Sequence, residues 1–315
     1  MQRGPEPSAI MTTATVHAVY GAPPSALAEV PHDAVQCSPQ HPGAIDLADL
    51  ADGSLVDVVM LAPPGTTERR YALAQALRVL QPGGRLTVLA RKDAGGSRLV
   101  GDLGDFGCAA GATSKAHHRI CSIQRPAELI GIDEAINQGR LQLQPDTDLW
   151  SQPGIFSWDR LDPGSALLLQ HLPHLQGRGA DFGCGNGMLA VAILVSPAIT
   201  QLTLIDNDRR ALAAAALNVA DQRATYLWAD LRQATGLPTN LDFIVMNPPF
   251  HVGANEDRSL GLTFIRKAAS CLANGGVLWL TANRHLPYEA DMLPLFSVMT
   301  QVVSANGYKV YMATK

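Results

Sequence analysis

Hydrophobic and polar positions follow two patterns along this chain. Short, nearly continuous apolar runs mark strands buried on both faces. Longer runs with apolar residues every three or four positions mark helices. The clearest strands are Val56-Asp57-Val58-Val59-Met60-Leu61, Arg85-Leu86-Thr87-Val88-Leu89-Ala90, Leu202-Thr203-Leu204-Ile205-Asp206, Leu241 to Met246, and Val277-Leu278-Trp279-Leu280-Thr281-Ala282. Helical spacing runs from Glu68 to Leu80, with Leu73, Ala76, Leu77 and Leu80 on one face, and again over 166–172, 188–195, 209–219 and 259–273. Val16 to Tyr20 predicts a short strand before the turn Gly21-Ala22-Pro23-Pro24, and Trp228-Ala229-Asp230 closes another. Val302-Val303-Ser304 and Lys309-Val310-Tyr311-Met312, around Asn306-Gly307, predict a closing hairpin and so an antiparallel last strand. Strands alternating with helices predict an α/β fold with a parallel sheet.

One order of parts occurs twice. A strand ends in X-Pro-Pro-X, a helix follows, and Gly-Gly precedes the next strand. The first copy carries Ala62-Pro63-Pro64-Gly65 and Pro82-Gly83-Gly84; the second carries Asn247-Pro248-Pro249-Phe250 and Asn274-Gly275-Gly276. Such self-similarity points to an internal duplication. The first copy lacks the Asn, the Phe and any glycine-rich loop ahead of them, so it keeps a fold without the chemistry. Asp105-Phe106-Gly107-Cys108 repeats the letters of Asp181-Phe182-Gly183-Cys184, but lies on the wrong side of its Pro-Pro turn and reads as coincidence. Residues 1–130 are therefore expected to form a degenerate N-terminal domain, 131–153 (with Gly131, Gly139, Pro145 and Pro153) a linker, and 154–315 the working domain. Residues 1–15 read as unstructured.

With 315 residues, 47% hydrophobic and 17% charged, the chain has core enough for two domains and is not a disordered polymer. No apolar stretch has the length of a membrane span, and the N-terminus shows no apolar core of a signal peptide. Cys37, Cys108, Cys121, Cys184 and Cys271 are scattered, which fits reduced thiols in the cytoplasm and no metal site. The net charge of −4 hides an asymmetry: residues 60–125 carry +6 and the remainder −10. A basic segment beside an acidic half suggests an RNA-facing patch.

The candidate chemistry lies at strand ends in the second half. Asp181-Phe182-Gly183-Cys184-Gly185-Asn186-Gly187 stands between a strand and a helix, where glycines let the backbone approach a ligand. Asp206 ends the next strand, placed for the ribose hydroxyls of a nucleoside or, taken alone, for capping the helix that follows. Asp230 ends the third strand and could accept from an adenine amino group or, as readily, be one more loop acid. Asn247-Pro248-Pro249-Phe250 ends the fourth. Two prolines make that turn rigid and leave the side-chain amide, backbone carbonyls and an aromatic face to grip a flat amine. The glycine loop and Asp206 alone would also suit a nicotinamide dinucleotide. The full order, with Asn-Pro-Pro-Phe after the fourth strand, is that of an S-adenosylmethionine-dependent methyltransferase.

The second half resembles the bacterial ribosomal RNA guanine-N2 methyltransferases, in particular the small-subunit (16S) type. The resemblance rests on Gly154-Ile155-Phe156-Ser157, Leu161-Asp162-x-Gly164-Ser165, the glycine loop, Asn247-Pro248-Pro249-Phe250-His251-x-Gly253, Ala282-Asn283-Arg284-His285-Leu286-Pro287-Tyr288 and Lys309-Val310-Tyr311. It implies two tandem Rossmann-like class I methyltransferase domains, the N-terminal one degenerate and the C-terminal one a seven-stranded sheet with an antiparallel last strand. It implies that Asp181, Gly183, Cys184, Gly185 and Gly187 bind the donor, with Asp181, Gly183 and Gly185 at its methionine part. Asp206 would hold the ribose and Asp230 lie near the adenine. Asn247 and the Pro248 carbonyl would accept from the guanine amine within the catalytic turn Asn247, Pro248, Pro249 and Phe250, with Phe250 stacked on the base. The implied partner is ribosomal RNA or the small subunit, with no membrane and no metal. Phe156 is expected in the core, and His251 in a loop-bonding role. A large-subunit rRNA enzyme, a protein-glutamine N5 methyltransferase and a non-catalytic RNA-binding assembly factor are the alternatives.

Overall fold

The computed structural model describes residues 16–249, 251, 252, 255, 256 and 258–315, and of 251–258 only the backbone. Residues 1–15, expected to lack structure, lie outside it. The chain divides into two compact units, Met1–Ser38 with Ala44–Gln138, and Pro39–Gly43 with Gly139–Lys315.

The first unit contains β1 (His17–Tyr20), β2 (Val35–Gln36), β3 (Leu55–Leu61), α1 (Thr66–Val79), β4 (Leu80–Arg91), α2 (Leu99–Asp105), β5 (Thr113–Lys115) and β6 (His118–Gln124), and α3 (Ile132–Gly139) follows. Its sheet runs β2-β1-β3-β4-β6-β5, parallel through the first four strands and antiparallel at β6 and β5. Helix α1 buries Leu73, Ala76 and Leu77, the stripe its spacing predicts, against Val58, Met60, Leu86 and Val88 of the sheet.

The second unit opens with a hairpin, β7 (Gln142–Gln144) and β8 (Leu149–Ser151), then α4 (Pro163–His171), β9 (Gly177–Phe182), α5 (Met188–Ile193), β10 (Ile199–Asp206), α6 (Arg209–Asn218) and β11 (Ala224–Trp228). It continues with β12 (Leu241–Met246), the short pair β13 (His251–Val252) and β14 (Asn255–Glu256), α7 (Arg258–Cys271), β15 (Leu272–Asn283), α8 (Glu289–Met292), β16 (Val298–Ala305) and β17 (Tyr308–Thr314). The seven strands lie in the order β11-β10-β9-β12-β15-β17-β16, with β17 antiparallel to both neighbours. Asn306 and Gly307 turn the last hairpin with φ of 51° and 84°, the left-handed pair that Asn-Gly accepts readily. Two core clusters flank this sheet. One holds Phe182, Ile244, Met246 and Tyr311; the other holds Leu202, Leu204, Val245 and Val310. Adjacent residues of a strand thus face opposite layers, which explains its continuous apolar pattern.

Strand by strand, β1, β2, β3, β4, β5 and β6 answer β9, β10, β12, β15, β16 and β17, and among the described residues none answers β11. The correspondence extends to register. Leu55 pairs with Leu80 and then Asp57 with Arg85; Leu241 pairs with Leu272 and then Phe243 with Val277. The excursion is turned by Gly83 in one copy and Gly275 in the other, both at φ 80°. The following glycine has no room for a side chain. A Cβ on Gly84 would lie 2.9 Å from the Gln81 carbonyl oxygen, and one on Gly276 2.6 Å from that of Leu241. Gly-Gly therefore belongs to a bulged strand.

Two further expectations change and one holds. The 131–153 stretch is no bare linker: it carries α3 and the β7–β8 hairpin. Asp105-Phe106-Gly107-Cys108 ends α2, with Phe106 buried under the Arg70 guanidinium, so its likeness to the glycine loop is only one of letters. The basic excess of 60–125 is largely spent on the fold. Arg69 pairs with Asp102, Arg70 with Asp102 and Asp105, Arg78 with Asp52, Arg85 with Asp57 and Arg91 with Asp93, while Arg125 donates to the Leu77 carbonyl. No described helix is long and apolar enough to cross a membrane.

Candidate active site

In the second unit the carboxyl ends of β9, β10 and β12 lie side by side, where open α/β sheets bind ligands. After β9 the chain turns through Gly183, Gly185 and Gly187 with φ of 73°, 53° and 82°. Left-handed backbone at alternate positions is why glycine stands there. The three have different further reasons. A Cβ on Gly187 would press on Ala215 at 3.0 Å, so this glycine lets α5 pack on α6. A Cβ on Gly185 would meet nothing within 4 Å and would project into open space. Gly183 lies between these extremes, with Phe264 3.4 Å from its built Cβ. Gly183 and Cys184 donate to the Ile205 carbonyl at 2.8 and 3.1 Å, and Gly185 donates to Asp206 Oδ2 at 2.9 Å. The loop is thus tied to the end of β10.

Asp206 is not the helix cap. Asp208 caps α6, accepting from Arg210 N at 2.9 Å, and Asp206 accepts from Gly185 and from Asp208 N. That leaves lone pairs of Asp206 facing the cavity. Burial pushes its pKa up to about 6 despite those backbone donors. Asp181, at the end of β9, is fully buried, and neither carboxylate oxygen has a hydrogen-bond partner among the described residues. Burial and the nearby Asp206 push it up to about 8, so the acid is protonated at neutral pH. The Cys184 thiol, also buried, is pushed well above its usual range and is not a reactive nucleophile. Asp230 is held in a bidentate pair by Arg232, with bonds of 2.9 and 2.6 Å, which keeps it ionised and occupies part of its accepting capacity.

Asn247 follows β12. Its amide nitrogen donates to Asp162 Oδ2 at 2.7 Å and to Ser165 Oγ at 2.9 Å. Pro248 and Pro249 follow without a cis bond. Phe250 lies outside the described residues, as does the side chain of His251. A cavity of about 400 Å³ brings together Gly183, Gly185, Asp206, Asp230, Asn247, Pro248 and Pro249. Asp181, Cys184 and Gly187 are not on its wall; they support the loop from behind. The wall also holds Gln40, Leu260 and Phe264, which sequence reasoning missed, and Gly154 and Ile155, which it named only as part of a motif. Phe156 is on it too and is 58% exposed, so it is no core residue. Its sequence signal was the Gly154-Ile155-Phe156-Ser157 motif, which carried the resemblance without a role for the ring. Among the described residues no group of three acidic, His or Cys side chains could hold a metal ion.

The family model described as Methyltransferase small domain matches residues 146–312, more than half of the chain. Ribosomal RNA small subunit methyltransferase C of Shewanella loihica is 32% identical over 261 residues, covering 81% of this chain and 75% of its own. The chain belongs to the ribosomal RNA small subunit methyltransferase C family. The counterpart from Shewanella amazonensis gives the same identity over 262 residues, with 81% and 76% covered. Among solved structures, the T. thermophilus 16S rRNA N2 G1207 methyltransferase (RsmC), in complex with AdoMet and guanosine, superposes with a TM-score of 0.73 at 26% identity. That superposition covers 86% of this chain and 76% of the other. The likeness to methyltransferase C extends well into the first unit, as a shared two-domain plan requires. Within this family member the glycine loop, Asp206 and Asn247-Pro248-Pro249 share one cavity; the first unit's Ala62-Pro63-Pro64-Gly65 offers no amide in the equivalent place.

Proposed function

We propose that this protein transfers a methyl group from S-adenosylmethionine to the exocyclic N2 amine of a guanine in 16S ribosomal RNA, acting in the cytoplasm on that RNA or on the small subunit. One observation carries the reading: the Asn247-Pro248-Pro249 turn and the Gly185–Asp206 loop wall a single cavity. The names of the relatives support the choice of base and of RNA.

The residues fit such a donor. Open space faces Gly185, where backbone can approach a methionine moiety. Asp206 keeps lone pairs for ribose hydroxyls, and Ala229 to Leu231 line the adjoining wall for a purine. When bound, S-adenosylmethionine supplies an electrophilic methyl group on a sulfonium. Asn247 Oδ1, with its nitrogen turned to Asp162 and Ser165, and the Pro248 carbonyl accept the two amine hydrogens. Holding both draws the amine lone pair out of conjugation and aims it. The work is positioning, worth several powers of ten when reacting atoms are held in line. No strong base is required beforehand, because the proton leaves to water after attack. The guanine must be unstacked to enter, and Phe250 is the residue proposed to stack on it.

The test uses radiolabelled donor and ribosomal particles from cells lacking this protein, followed by nucleoside analysis. Label in N2-methylguanosine of small-subunit RNA is expected. Label in protein, in large-subunit RNA, or nowhere would overturn the proposal.

A further inference from the structure

From the sequence, Leu161-Asp162-Pro163-Gly164-Ser165 carried no role beyond the resemblance. In the structure it forms the first turn of α4, with Asp162 as N-cap accepting from Ser165 N at 2.7 Å and Pro163 at the first helical position. Asp162 and Ser165 are both buried. The same Asp162 oxygen that caps the helix accepts from Asn247 Nδ2, also at 2.7 Å, and Ser165 Oγ accepts from that nitrogen at 2.9 Å.

A carboxamide has one donating and one accepting end, and only its surroundings decide which end faces where. A carboxylate accepts and does not donate. Turning the Asn247 amide over would set two oxygens against each other beside Asp162, with no hydrogen between them. Both amide hydrogens of Asn247 are taken up by the first turn of α4 and its cap, so torsion about the side chain is fixed as well as its sense. No described residue hydrogen-bonds to Oδ1, the end left for a ligand. The turn is itself held down. A Cβ on Gly164 would lie 2.7 Å from the Tyr308 ring, so glycine lets that ring of β17 close over the first turn of α4.

We infer that Asp162 and Ser165 are positioning residues for the reaction: Asp162 sets the polarity of the Asn247 amide and Ser165 helps fix its torsion, so that its oxygen is offered to the substrate amine. This rests on the function proposed above for Asn247. A helix cap alone would account for the Asp162–Ser165 N contact. It does not account for the two bonds to a side chain more than eighty residues away, on another element.

The experiment compares Asp162→Ser, Asp162→Asn and Ser165→Ala in the full chain. It measures thermal midpoint, donor dissociation constant by calorimetry, and kcat and KM on undermethylated ribosomal particles. Serine caps a helix but is one atom shorter and cannot impose an acceptor on Asn247. Asparagine keeps an oxygen in the place of Oδ2. The expected result for Asp162→Ser is a fall in kcat of about thirtyfold or more, with donor binding and KM within about threefold of the parent. Asp162→Asn should recover most of that rate, and Ser165→Ala, which leaves the cap intact, should lose about five- to tenfold in kcat. Parent-like kcat in Asp162→Ser, or an Asp162→Asn variant as slow as Asp162→Ser, overturns the inference. So does a parallel loss of donor binding. Should Asp162→Ser fail to fold, Ser165→Ala decides alone, and an unchanged kcat refutes the role. A parent enzyme without activity on the particles would instead refute the proposed function, so the two failures are distinguishable.

Discussion

Replacing Asp181 by asparagine should remove a pH dependence of stability that the buried acid imposes on the donor-free protein. The carboxyl group is fully buried, without a partner among the described residues, and its pKa stands near 8. In the unfolded chain it returns to about 3.9. A folded-state value raised above the unfolded one means that the unfolded chain gives up its proton first as pH rises. Stability therefore falls from about pH 4 and levels off only above about pH 8. Asp206, with a value of about 6, adds to the slope mainly below pH 6. Between pH 6 and 8 Asp181 alone should cost about 2.3 kcal/mol, from 1.36 kcal/mol per unit with allowance for half-titration at the upper end. The assay is urea unfolding at both pH values, followed by tryptophan fluorescence. Trp150, Trp158, Trp228 and Trp279 are the only tryptophans, and all lie in the second unit, so the signal reports the domain concerned. Asparagine adds a constant offset, since an amide does not titrate, and other titrating groups cancel in the comparison. The gap between variant and parent should widen in the variant's favour by roughly 2 kcal/mol from pH 6 to 8. A gap that stays constant would refute the reasoning, because Asp181 would then be ionised or solvated in the folded state.

Asn247→Ala should lower kcat by at least about a hundredfold while calorimetry shows donor binding preserved; joint loss of binding would make Asn247 a cofactor ligand instead. Asp206 should bind ribose hydroxyls best when ionised, so donor affinity should decline as pH falls through about 6, and Asp206→Asn should bind weakly with no such decline. Gly185→Ala meets no atom in the fold, so it should cost only about 1 kcal/mol for its left-handed backbone. The same variant should weaken donor binding more than tenfold, as read by paired melting and binding measurements.

Much of this could be read in the sequence because it is local. A glycine loop must follow its strand, Asn-Pro-Pro must end one, and a continuous apolar run must be buried on both faces. The duplication was legible for the same reason, and the strand register and the glycine corners at Gly83-Gly84 and Gly275-Gly276 repeat it. What escaped was contact between distant segments. Nothing near Asp162 announces Asn247, and nothing near Gln40 announces the cavity. Local patterning also could not show that Arg232 folds back on Asp230, or that Asp208 relieves Asp206 of capping α6. A charge count by segment misled because it ignored partners such as Asp52 and Asp57, which lie just outside the segment counted.

Pro39 to Gly43 belongs to the second unit although the residues on both sides of it belong to the first. The Pro39 carbonyl accepts from Arg209 N at 2.9 Å at the start of α6, and Gln40 forms part of the cavity wall. The second unit is therefore discontinuous in the sequence. A fragment starting after Gly139 would carry every strand of the seven-stranded sheet and still lack a piece of its wall. During synthesis those five residues emerge before α6, so their place in the wall cannot be set until α6 has been made.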